Sequence, residues 1–249
     1  MDRCSLMCVT AQVTIMGSAQ VGKTQIALNL IGQILCEVPC KAMIALPTLS
    51  SLRMYNRDKL DPMIEKTPSL KAVVAEVTER SGKESTTAVK RGARGAQVEL
   101  VTASSSADLQ ARTVRVAIME EVSEYGLDVG GRGDPVGQIE ARTIAYRKRG
   151  YKHIKISTPG IKGVCRISKA WEDGSQGEFE VSCQHCAHRQ TLRFANLKWP
   201  SGKPAEARYV CESCGVLIEE REKAAMLRGG AWVHAHPERL AEHASYRIN

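Results

Sequence analysis

The sequence predicts an α/β fold: a mostly parallel sheet flanked by helices, followed by a small cysteine-rich β unit. Three observations predict it. A β-branched run ends in a glycine loop that opens an apolar-faced helix. Further short apolar runs alternate with helical or loop-like stretches, the rhythm of strands joined by crossover helices. From about Gly174 the pattern changes to short polar segments punctuated by cysteines.

Residues 8–16 (CVTAQVTIM) carry Val9, Thr10, Val13, Thr14 and Ile15 and read as a strand. Residues 25–35 place Ile26, Leu30, Ile31 and Ile34 at helical spacing. Residues 41–46 (KAMIAL), 97–102 (QVELVT), 114–119 (VRVAIM) and 153–157 (HIKIS) are the remaining strands of the sheet. Ser104 to Ser106 and residues 126–137 (GLDVGGRGDPVG) are loops by composition. The expected organisation is a nucleotide-binding domain over 1–173, a cysteine-rich ribbon over 174–220 and a C-terminal segment over 221–249. No repeat at solenoid periods is visible.

Composition excludes several classes. With 249 residues the chain can bury a sizeable core, and 43% hydrophobic with 25% charged residues is ordinary globular usage. The best apolar run, residues 26–36, is interrupted by Asn29, Gly32 and Gln33, so no stretch approaches the ~18 residues of a membrane helix. No membrane partner is expected. The N-terminal residues up to Gly17-Ser18-Ala19 have the outline of a weak signal peptide, a reading that gives way to the motif below. A net charge of +8 fits a polyanionic partner as readily as it fits a soluble protein that happens to be basic. Nine cysteines, four of them in two Cys-x-x-Cys pairs, suit metal thiolates in a reducing cytoplasm better than a disulfide framework.

Gly17-Ser18-Ala19-Gln20-Val21-Gly22-Lys23-Thr24 matches G-x-x-x-x-G-K-[ST] at every fixed position, between a strand and a helix. Such glycines let backbone N–H groups turn in around phosphates; Lys23 would neutralise β/γ oxygens and Thr24 would hold Mg²⁺. The expected ligands are therefore ATP and Mg²⁺. The 114–119 strand runs into Glu120 and Glu121, with Glu120 assigned to Mg²⁺ and Glu121 to the attacking water. Neighbours on a strand point opposite ways, so the strand's end must splay to bring both into one crevice. A third strand ends in Ser157-Thr158-Pro159, either a γ-phosphate sensor or an ordinary strand exit. Together these predict a P-loop NTPase of the RecA/ASCE-like kind.

Cys183 and Cys186, then 24 residues, then Cys211 and Cys214 form a four-thiolate zinc-ribbon pattern. Two disulfides are the competing account. A closed four-Cys site has no open position, so its Zn²⁺ is structural, and His185 and His188 are bystanders. Cys4, Cys8, Cys36 and Cys40 read as small buried hydrophobes. Residues 90–95 (KRGARG) and Arg147-Lys148-Arg149 are basic clusters that face either DNA phosphate or solvent.

The series SAQVGKT, PTLSSLRMYNRDKLDPMIEKTPSL, a strand ending EEVSEY, Gly133-Asp134-Pro135, ISTP, CQHC and CESC resembles the ATPase region of lambda-like (GpA-type) phage terminase large subunits. The likeness covers nearly the whole chain. It implies an ATP-driven motor that packages viral DNA into a procapsid, in a family that also carries a nuclease cutting concatemers. It implies a Walker A motif at Gly17 to Thr24, a Walker B motif ending at Glu120, Glu121 as catalytic carboxylate, and a coupling motif at Ser157 and Thr158. Arg112 would add a charge near nucleotide or DNA. The implied partners are double-stranded DNA, the terminase small subunit, the portal and procapsid, and further copies of the chain, in the cytoplasm of the bacterial host.

Two features depart from the family. Glu120 stands where Asp is usual, and the chain starts close to the P-loop strand and stops at Asn249, whereas family members extend at both ends. The expectation is a truncated or split terminase, with 221–249 leading toward a missing nuclease domain and no cutting by this chain alone. Two other readings accompany it: a zinc-ribbon helicase-like or repair ATPase, and a non-catalytic prophage remnant that binds DNA or zinc.

Overall fold

In the computed structural model, residues 10–81, 86, 88–110, 112–161 and 163–248 are described. The strands in chain order are β1 (Gln12–Gly17), β2 (Lys41–Leu46), β3 (Val89–Arg91), β4 (Gln97–Thr102), β5 (Val116–Glu120), β6 (Lys152–Ser157), β7 (Gly177–Ser182), β8 (Arg189–Thr191), β9 (Leu197–Lys198), β10 (Arg208–Val210), β11 (Leu217–Ile218), β12 (Ala231–His234) and β13 (His243–Ile248). The helices are α1 (Lys23–Cys36), α2 (Leu49–Tyr55), α3 (Asp61–Lys66), α4 (Pro68–Ser81), α5 (Ser106–Leu109), α6 (Pro135–Ala141), α7 (Arg166–Asp173) and α8 (Glu220–Arg228). A single π-helical turn, Asn56–Leu60, joins α2 to α3.

Ten strands form one sheet in the order β12-β7-β13-β1-β6-β5-β2-β4-β3, with β8 paired to β7. From β7 through β13 to β4 all neighbours are parallel; β3, β8 and β12 attach antiparallel. Parallel strands covered on both faces become near-continuous apolar runs, and β5 is buried at every position. Consecutive residues feed opposite cores. Ile15, Ile44 and Ile118 pack with Ile31 and Ile34 of α1 on one face, while Met16, Met43 and Met119 pack with Ile139 of α6 and Ile167 of α7 on the other. Among the described residues no helix is long and apolar enough to cross a membrane.

The central strands and α1 agree with the sequence reading to within two residues at their described ends, except that β1 starts at Gln12. Residues 8 and 9 of its expected range, and Cys4 and Cys8, lie outside the described residues. The sheet also continues past the break expected near Gly174. β7, β12 and β13 all join it, and β13 lies parallel to β1 from Gln12↔His243 to Gly17↔Ile248. Instead of leading away, residues 243–248 return to the strand that carries the glycine loop. The pattern of β13 (HASYRI) hides this because the strand buries polar side chains: Ser245 is fully buried, its Oγ donating to Trp171 O at 2.9 Å and accepting Gln176 N–H at 2.7 Å. Among the described residues, only β9, β10 and β11 form a separate small sheet, in the order β11-β10-β9.

Candidate nucleotide site and cysteine cluster

The register brings three strand ends together. β6 lies between β1 and β5, with Met16 opposite Ser157 and Glu120 opposite Ile156, so Gly17, Ser157 and Glu120 end side by side at the carboxyl edge of the sheet. That edge is where open α/β sheets bind ligands.

The glycine loop leaves β1 at Gly17 and enters α1 at Lys23. Gly22 is the N-cap with φ 83°, a left-handed conformation that costs glycine little and other residues more. No side chain caps α1 and its first turn holds no acidic residue, so its free N–H groups and positive dipole end suit an anion. Lys23 is buried and folds back, its Nζ donating to Ser18 O at 2.6 Å and to Thr158 Oγ1 at 3.0 Å. Thr24 is half-buried in the first turn of α1, and Ser18, Ala19 and Gln20 are exposed.

The two carboxylates sit differently. Glu120 is buried, and among the described residues its Oε1 has no hydrogen-bond partner. Burial, reinforced by the neighbouring Glu121 charge and opposed by Lys23 and Lys59, lifts its pKa to about 7. Glu121 has φ 50°, and this left-handed turn breaks the alternation that would have sent it to the opposite face. Its Oε2 accepts from Ser157 Oγ at 3.1 Å and from Thr158 N–H at 3.3 Å. Thr158 therefore touches both Lys23 and Glu121.

Several side chains around this corner carry no sequence signature. Tyr55, at the end of α2, is buried, and among the described residues its hydroxyl has no partner. Burial first, and the Glu120 charge second, push its ionisation well above the ordinary range. Cys165 Sγ accepts Gly160 N–H at 3.0 Å and lies 3.3 Å from Ser123 Oγ, linking the segments after Thr158 and Glu121. Burial alone would raise its thiol, but hydrogen bonds from Ser123, Gly160 and Ser168 outweigh that and bring it to about 7. Arg166 holds the loop after β5, donating to Gly126 O at 2.7 Å and pairing with Asp134 at 2.9 Å.

The basic clusters separate. Lys90 is buried and pairs with Asp61 at 2.7 Å, while Arg94 donates to Glu37 O at 3.1 Å. Lys90 is thus bound into the fold, while Arg94 and Gly95 of the same run remain exposed. Arg112 pairs with Glu99 and donates to Asp108 O, so its charge is compensated locally. Arg147, Lys148 and Arg149 are exposed. Cys36 and Cys40 are half-buried, and burial raises the Cys40 thiol to about 11 despite Arg115.

Far from the nucleotide corner in the chain, Cys183, Cys186, Cys211 and Cys214 converge with their sulfurs within 4.8 Å of one another. Each pair lies in a tight knuckle: Ala187 N–H bonds Cys183 O, and Gly215 N–H bonds Cys211 O, with Ala187 and Gly215 in the left-handed region. The Cys183–Cys214 and Cys186–Cys211 sulfurs are 4.0 and 3.7 Å apart. That is far beyond a disulfide bond of ~2.05 Å and near the ~3.8 Å edge of a tetrahedron with Zn–S of ~2.3 Å. The donor set fits Zn²⁺. His185 turns away to Glu222 at 2.9 Å.

Residues 1–232 match the family model described as phage terminase large subunit gpA, ATPase domain. The terminase large subunit of Enterobacteria phage P21 is 28% identical over 219 residues, covering 84% of this chain and 33% of that protein. That of Escherichia phage lambda is 25% identical over 220 residues, covering 85% of this chain and 34% of the relative. The chain thus matches about a third of the length of these curated relatives. Among solved structures, the large terminase ATPase domain of Thermus phage P74-26 aligns over 99% of this chain and 79% of that one, with 13% identity and a TM-score of 0.44.

Proposed function

Because the chain belongs to the family of ATPase domains of gpA-type phage terminase large subunits, we propose that it is the ATP-hydrolysing motor core driving double-stranded viral DNA into a procapsid. The observation that carries the catalytic assignment is the set of hydrogen bonds at the sheet edge, where Thr158 meets both Lys23 and Glu121.

The loop from Gly17 to Thr24 wraps the phosphates with its N–H groups. Lys23, now bonded to Ser18 O and Thr158, exchanges these partners for β/γ-phosphate oxygens and neutralises charge there. Glu121, held by Ser157 and the Thr158 amide, aligns the attacking water. Thr158 senses the phosphate through Lys23 and transmits its loss along the loop after β6. Glu120 and Thr24 would hold Mg²⁺, which when bound offsets the charge on the transferring phosphoryl group. The unpartnered Oε1 of Glu120 fits that role, and a cation there favours its ionised form.

Cys183, Cys186, Cys211 and Cys214 would hold one structural Zn²⁺. DNA cutting is not part of the proposed activity. The partners are double-stranded DNA, the terminase small subunit, the portal and procapsid, and further copies of the chain assembled in the bacterial host cytoplasm.

The test is ATP turnover by the purified chain with and without duplex DNA, alongside Lys23→Ala. Turnover that rises with DNA and disappears in Lys23→Ala is the expected result. Turnover no higher than the Lys23→Ala background overturns the motor reading in favour of a non-catalytic remnant, and strand separation would favour a helicase-like enzyme.

A further inference from the structure

The small sheet β11-β10-β9 presents a surface that the nucleotide chemistry does not use. Phe194 is 78% exposed and Trp199 43% exposed, and their rings meet edge to face at 6.0 Å. A floppy loop would let these rings collapse inward, but this one is fixed. Arg193 N–H and Asn196 Nδ2 both donate to Tyr209 Oη, at 3.1 and 3.2 Å, and Asn196 Nδ2 also reaches Glu212 at 2.7 Å. The scaffold thus holds an aromatic pair in water, where it forgoes the burial that stabilises such side chains elsewhere.

The charges beside this pair are also arranged at a cost. Lys198 of β9 stands directly opposite Arg208 of β10 in the antiparallel register, so two cations share one face of the ladder. Like charges directly opposite are destabilising. Among the described residues neither pairs with a carboxylate, whereas nearby Lys203 is paired with Glu206 at 3.0 Å. Arg208 donates to the carbonyls of Glu206 and Ala207, both at 3.3 Å. An anion between Lys198 and Arg208 would relieve the repulsion, and Trp199, the residue that follows Lys198 in the chain, offers an exposed ring for stacking. Phosphate and base together satisfy both.

We infer that this face is a binding surface for unpaired DNA, with Phe194 and Trp199 as stacking platforms and Lys198 and Arg208 as the phosphate-binding pair. Stacking on aromatic side chains selects bases that are free of a partner strand, since a duplex offers its base faces only at its ends. The inference rests on the reading that the chain acts on DNA, and it assigns a separate site for a single-stranded end beside the duplex that the motor moves.

The test measures binding of the full chain to a labelled single-stranded oligonucleotide and to a blunt duplex by fluorescence anisotropy over a salt series. Variants are Phe194→Ala with Trp199→Ala, Trp199→Phe alone, and Lys198→Ala with Arg208→Ala. The aromatic double variant is expected to weaken single-strand binding about 10-fold or more while leaving duplex binding within about twofold. Trp199→Phe keeps a stacking face and retains most of the affinity, separating loss of stacking from loss of fold. Removing the two cations lowers the slope of log K against log salt by about 0.7 for each phosphate that is no longer neutralised. Single-strand affinity and salt slope unchanged in all variants, with duplex binding intact, overturn this inference and leave the DNA reading standing. Wild-type chain that binds neither nucleic acid overturns both. Variants that bind DNA normally but lose a protein partner reassign the face to protein docking.

Discussion

The nucleotide corner and the cysteine unit solve the same problem, holding functional groups still, with different materials. Glu120 and Glu121 at the end of β5, and Lys23 at the start of α1, are backed by two large cores, one on each face of the sheet. The cysteine unit has only Val181, Cys183, Cys211, Ile218 and Met226 as buried apolar residues, and two of those five are sulfur donors. Apolar burial stabilises by roughly 25 cal/mol per Å², and a cluster this small cannot by itself offset the entropy of ordering the segments around it. With the Zn²⁺ proposed above, the contrast teaches that the geometry of the first region comes from packing and that of the second would come from a metal.

Stripping the proposed Zn²⁺ is the largest way to break that comparison. Structural Zn²⁺ contributes on the order of 10 kcal/mol to folding of small thiolate sites. Treatment with a strong chelator, or Cys211→Ser, is expected to abolish amide-exchange protection over residues 183–218. Protection across β1, β5 and β6 should stay within the range of the untreated protein. Protection lost equally from both regions would show that the sheet, which contains β7 and β12 on either side of the unit, depends on the metal as well.

Next in size is Glu121→Gln, which keeps the shape of the side chain and an acceptor for Ser157 and the Thr158 amide. Loss of a positioned carboxylate costs roughly 10²–10⁴-fold in rate. ATP affinity and thermal midpoint are expected to stay near wild type, because neither core is touched. A variant that turns over at the wild-type rate would move the water-orienting role away from Glu121.

Legibility divides along the same line. Strand β2 coincides with its apolar run because a parallel strand buried on both faces writes hydrophobicity continuously, and β4 is legible from its β-branched and leucine positions despite half-buried Gln97 and Glu99. The cysteine spacing is equally plain, since metal thiolates must be close in sequence to form a knuckle. What stays hidden depends on long-range pairing or on a single dihedral. β13 carries a half-buried His243 and a fully buried Ser245, which look like a solvated loop until Trp171, Ser175 and Gln176 are placed around Ser245. The left-handed turn at Glu121 breaks the period-two rule, and nothing in EEVSEY announces it. Tyr55 and Cys165 reach the site from α2 and from the start of α7, elements with no motif of their own.

Acid sharpens the comparison with the smallest effect. In the cysteine unit, low pH would protonate the thiolates and release the proposed metal. In the sheet, one sensitive group is His153 of β6, buried, with Nε2 2.7 Å from Thr143 Oγ1. Burial lowers its pKa from 6.5 to about 4, outweighing the opposing Glu140 charge and aided by Lys155 and Arg147. The folded state therefore resists a proton that the unfolded chain accepts. Stability is intact above about pH 6.5, falls as pH drops toward 4 by up to ~1.4 kcal/mol per unit, and levels off below that. The measurement is the denaturant midpoint of the sheet across this range with chelator present throughout, so that metal loss is already complete. His153→Gln, which keeps a group able to meet Thr143 but cannot titrate, should flatten the slope between about pH 6.5 and 4. An unchanged slope would place the acid sensitivity of the sheet on other groups, among them His234 of β12 and His243 of β13, whose pKa burial also lowers.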